Sequence, residues 1–206
     1  MGHAKKSVSG KSLAKKSAIN KASLQAFEST MKERARNAVF SDPDRALDEF
    51  TKSTRKLLSS LEPIITEAAD FIKRARQRRE TGELDNTAML AEIAPAEIFI
   101  ALHKMLRLMY EKVCHDEELH GLDLREKTYA IRRINLAAYT LAAHGDEELL
   151  SEGNYPEKDE EIRDGRITHA FLFARQIHED VVEVLDDTNA KLGVDIPELF
   201  KAEDLN

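Results

Sequence analysis

Hydrophobic residues recur at intervals of three and four along most of the chain, the period of an amphipathic helix. Leu24, Phe27, Met31, Ala35 and Val39 begin the series. Asp42 offers an N-cap and Pro43 suits a first helical turn. From there Leu47, Phe50, Thr54, Leu57 and Leu61 continue the stripe. Pro63 should kink this helix or start a new one, and Ile65, Ala68, Ile72 and Ala75 carry the face onward to a stop at Gly82. Asn86 and Thr87 open a further helix, which Pro95 is expected to divide. The segment that follows, "AEIFIALHKMLRLMYEKVC", is the most apolar in the chain. Ile98, Leu102, Met105, Leu106, Met109 and Val113 share one face, while Phe99, Ile100 and Leu108 cover much of the rest. A helix apolar nearly all round belongs at the centre of a bundle or at a seam between copies.

Asp123, with Glu126 three residues on, predicts a capping box. It opens a helix that turns Ile131, Ile134, Ala138 and Leu141 inward and stops at Gly145. Residues 146–164 read as an acidic loop, with nine acids against Lys158 and Arg163. From Arg166 a long helix follows, with Ile167, Ala170, Phe171, Ala174, Ile177, Val181, Val184 and Leu185 inward. No alternating strand pattern interrupts the series. The expected architecture is all-α, a bundle of six to seven helices. Residues 1–20 form a flexible Lys/Ser-rich arm, 21–192 the helical bundle domain, and 193–206 a C-terminal tail. Pro197 suits the first turn of a short helix in that tail.

Composition narrows the class. Apolar residues at 42% supply a core, and charged residues at 33% with few Gly and Pro favour helices with solvated faces. The single cysteine, Cys114, excludes an internal disulfide and a thiolate zinc cluster, which suits a reducing, cytoplasmic setting. No run of about 18 apolar residues predicts a membrane span.

Charge changes the picture more. The net charge of −7 divides into +6 over residues 1–27 and −13 over the rest. Lys5, Lys6, Lys11, Lys15, Lys16 and Lys21 supply the basic arm, and "KRARQRR" adds Lys73, Arg74, Arg76, Arg78 and Arg79 at a helix end. Cations so grouped suit phosphates, bound without sequence preference. The chain thus reads as a non-enzymatic helical interaction protein. It would be partnered by another protein, by nucleic acid through its basic segments and by further copies of itself at the apolar helix. No cofactor is expected. An alternative makes the acidic body the working surface, as in an antitoxin or inhibitor.

Two stretches carry candidate chemistry. "CHDEELHG" places Glu117 and His120 three apart, on one helix face, where they could ligate a metal. A di-iron bundle needs a second Glu-x-x-His pair, and no other histidine has a Glu three residues before it. The stretch is therefore read as a polar helix end before Gly121. "RDGRITH" sets Arg163 and His169 apart by five residues, the first followed by a polar residue. This spacing resembles the motif of the HEPN family of helical ribonucleases. The resemblance covers seven residues and implies metal-independent RNA cleavage, with Arg163 binding phosphate and His169 acting as acid and base.

Overall fold

The computed structural model describes residues 43–115, 122–146, 148–156 and 159–198, and among these every regular element is a helix. Helices α1 (Pro43–Ser60) and α2 (Glu62–Glu80) are separated by Leu61 alone. Pro63 falls in the first turn of α2, where its missing N–H costs nothing, so it starts a helix rather than bending one. Gly82, at φ +80°, ends α2 in a conformation that L side chains rarely adopt. The chain continues as α3 (Asn86–His115), α4 (Leu124–Ala143), α5 (Glu160–Leu185) and the single turn α6 (Thr188–Lys191). Asp123 and Glu126 complete the expected capping box at the start of α4.

Three expectations about the helices are corrected. Among the described residues there are five long helices and one single turn, not six to seven. Pro95 does not divide α3, which runs unbroken for 30 residues. Proline inside a helix costs about 3 kcal/mol, but Ala91, Ile93, Ala94, Ala96 and Phe99 around it are all at most 1% exposed. Burial on both sides of the ring outweighs the lost hydrogen bond. Finally, α5 begins at Glu160 rather than Arg166. Asp159 caps it by accepting from the Ile162 N–H, and Glu160 and Glu161 favour the positive end of the helix dipole. Glu160 and Glu161, which resembled loop residues, form the first turn of a helix, while Asp146, Glu148 and Glu152 lie outside it. At its other end α5 stops at Asp186, whose φ of 58° reverses the chain and separates off α6. The predicted stripe Leu24–Val39, the Asp42 cap and the segment 116–121 lie outside the described residues.

Helix α3 is the hub, touching α1, α2, α4 and α5. Most of its apolar circumference is covered within one chain, with Phe99, Leu102, Leu106 and Met109 completely enclosed and Leu108 left 47% exposed. They pack with Leu58 and Leu61 of the α1 end, Ile131, Ile134 and Leu141 of α4, and Ile177, Val181 and Leu185 of α5. Helix α2 lies along the first half of α3 and buries Ala68, Phe71, Ile72 and Ala75 against Ala88, Met89, Ile93 and Ala96. The alanines on both helices let the backbones approach closely. No described helix is long and apolar enough to cross a membrane.

Candidate functional site

The basic run closes α2, where side chains three apart share a face. Lys73, Arg76 and Arg79 therefore form one row, and all three are exposed. Lys73 pairs with Asp70 at 3.0 Å and Arg76 with Glu97 at 2.9 Å, yet their side chains remain 72% and 60% exposed. Arg74 is also exposed and holds its guanidinium over the Phe71 ring, 5.9 Å from the centroid. The exposed Lys73–Asp70 pair contributes at most about 1 kcal/mol and exchanges readily for a phosphate, whereas Arg76 faces a Glu97 carboxyl that is only 25% exposed and raised by burial.

Arg78 differs. Its Nη1 donates to Oε1 of Glu92 on α3 at 2.8 Å, and that carboxylate is 1% exposed. The other oxygen of Glu92 accepts from the Gly153 N–H at 2.9 Å. Glu83 and Glu152 stand 3.5 and 3.8 Å from the same guanidinium. Burial pushes the Glu92 carboxyl above its ordinary value, and the Gly153 and Arg78 contacts act in the opposite direction. Tyr155 packs beside this pair, and burial with the Glu92 charge raises its hydroxyl to about 12. A Cβ on Gly153 would fall 2.2 Å from the Tyr155 ring, so only glycine fits there. With Leu149 fully buried, these contacts fasten residues 148–156 across the α2–α3 pair. Arg78 is thus an internal anchor, and four of the five cations of the run remain at the surface.

The structure gives Arg163 and His169 separate surroundings. Six positions along a helix place them about 120° apart around its axis. Arg163 pairs with Asp85, whose carboxylate also caps α3 by accepting from the Ala88 N–H at 2.9 Å. His169 is 71% exposed, with Nε2 at 3.8 Å from Glu148. Other histidines serve packing: His103 Nε2 lies 3.1 Å from the Leu58 carbonyl, His144 Nε2 3.0 Å from Asp180, and His178 Nε2 3.0 Å from the Pro197 carbonyl.

Among the described residues no three His, Cys, Asp or Glu side chains are grouped to hold a metal ion. Glu117 and His120 lie outside the described residues, as do Lys5, Lys6, Lys11, Lys15, Lys16 and Lys21. A half-open groove of about 410 Å³ runs between α4 and α6, lined by Leu122, Tyr129, Ala130 and Leu192. Two charges at its rim are committed locally, Glu126 to the capping box and Lys191 to Asp187 at 2.8 Å.

Glu92 is the residue that sequence reasoning passed over. The available signal was a lone carboxylate in the otherwise apolar stretch Ala88–Ala96, which must find a partner or lose its charge. No known protein family matches the sequence, and neither a curated protein nor a solved structure matches it.

Proposed function

We propose that this chain is a non-enzymatic helical interaction protein that binds nucleic acid without sequence preference through its basic segments. The observation that carries this reading is the segregation of charge. Residues 1–27 hold six lysines and no acid, and the exposed Lys73, Arg74, Arg76 and Arg79 cluster on one helix end. Such a grouping attracts phosphates and releases their counterions. Glu92 and Tyr155, whose ionisation burial alters, are engaged with the chain itself.

The test is fluorescence anisotropy of the full chain with labelled single-stranded RNA and duplex DNA, followed by a denaturing gel. The wild type binds both and leaves them intact. Reversing Lys73 and Arg79 to Glu weakens binding on every sequence by a similar factor, because these contacts carry no base information. Cleavage that survives chelation and disappears in His169→Ala would replace this reading with a ribonuclease. Absence of binding would leave the acidic body as the surface for a protein partner.

A further inference from the structure

Helix α5 has a second face that the described residues leave exposed. Ile162, Gly165, His169, Leu172 and Gln176 follow one another at intervals of 3, 4, 3 and 4, and all five are exposed. Ile162 is 48% and Leu172 57% exposed, two of the four large hydrophobic side chains left in solvent among the described residues. Alternation of three and four, averaging 3.5, is the spacing that keeps one helix facing another over several turns. Phe173 flanks the row and is only partly covered. The inward row of the same helix, Ala174, Ile177, Val181 and Leu185, is fully buried, so the two faces are distinct.

The row is complementary to itself when reversed. In an antiparallel pair, Ile162 stands opposite Leu172 of the second copy and Gly165 opposite His169 of the second copy. Two apolar layers thus enclose two layers that each match the smallest residue with an imidazole. A Cβ built at Gly165 meets nothing within 4 Å, so open space is there to receive the ring. At the flanks Glu161 meets Arg175 of the second copy, and two-fold symmetry makes each contact twice. Arg175 now pairs with Glu179 at 2.7 Å, both over half exposed, and so exchanges partner at little cost. Parallel packing is poorer. It sets Gly165 on Gly165 and His169 on His169, and brings together two helix starts that each carry Glu160, Glu161 and Asp164. We propose that the protein forms a two-fold homodimer by antiparallel packing of α5 along Ile162, Gly165, His169 and Leu172. The proposal does not depend on nucleic-acid binding.

Sedimentation velocity of the full chain over about 2–200 µM tests it, the range suited to a contact of modest area. The wild type sediments increasingly as twice its 23.3 kDa mass. Leu172→Glu remains monomeric while its helical circular dichroism and thermal midpoint are unchanged. Glu161→Arg and Arg175→Glu each weaken the dimer about tenfold or less, and the double variant recovers most of the loss. A wild type that is monomeric throughout overturns the proposal. So does a dimer indifferent to Leu172→Glu. A Leu172→Glu variant with a clearly lower midpoint means that the chain's own residues cover this face, which also overturns it. A double variant weaker than either single one overturns the antiparallel arrangement.

Discussion

Replacing Arg78 with Met should make the stability of this protein depend on pH in a calculable way. Methionine keeps the apolar stem but withdraws the charge facing Glu92, leaving a carboxylate that is 1% exposed with the Gly153 N–H. Removing one partner of a buried ion pair costs about 3–5 kcal/mol. Arg78 is itself 23% exposed, so water reaches the pair and the low end applies. A second limit comes from protonation. Glu92 can escape its buried charge by taking a proton, which at pH 7 costs about 3.4 kcal/mol for a carboxyl of ordinary value 4.5. The expected loss at pH 7 is therefore about 3 kcal/mol. Burial already places the folded value of Glu92 above the unfolded one, so the native state holds this proton more tightly. The contribution of Glu92 is then most favourable at low pH and declines as pH rises from 4.5 through the folded value. Loss of Arg78 raises that value further and extends the window upward. The deficit should thus shrink on acidification, by at most about 1.4 kcal/mol per pH unit, wherever Glu92 is protonated in the variant and ionised in the wild type. Urea denaturation of both proteins at pH 7, 6 and 5 measures it. An equal deficit at pH 7 and pH 5 would refute the reasoning.

Other outcomes follow from single contacts. Thr54→Val deprives the fully buried Asn135 of its 3.0 Å acceptor and should cost about 1–3 kcal/mol, whereas Asn135→Leu should stay within about 1 kcal/mol of wild type. The reason is that Asn135 Oδ1 has no partner among the described residues, so denaturation curves of the two variants should diverge. Asp123→Ala removes the acceptor for the Arg125 and Glu126 N–H groups and should lower stability by about 0.5–2 kcal/mol, read in the same assay. Burial pushes the Cys114 thiol above its ordinary value, so a thiol reagent at pH 8 should label it far more slowly in the native than in the unfolded protein.

Much of the fold was legible because period and capping agree. The capping box at Asp123, the stop at Gly82 and the start at Pro63 are local signals read from neighbouring residues. The apolar circumference of α3 likewise pointed to its central place. What could not be read locally depends on burial. Pro95 argues for a break, and only enclosure on both sides makes an unbroken helix the better state. The acids of residues 159–164 look like a loop by composition, but at a helix start the same charges favour the dipole. The basic run appeared uniform, yet one of its members, Arg78, turns inward. That turn depends on Glu92, 14 positions away, and on a loop some 60 residues beyond Glu92. No periodicity connects those three places.

The central claim is that grouped cations bind phosphates, and its most direct measurement is the salt dependence of affinity for single-stranded RNA. The slope of log K against log[salt] is about −0.7 per neutralised phosphate on a single strand. Four or more contacts from the basic segments should make the slope about −2.8 or steeper. No binding at low salt, or a slope shallower than about −1, would contradict the account.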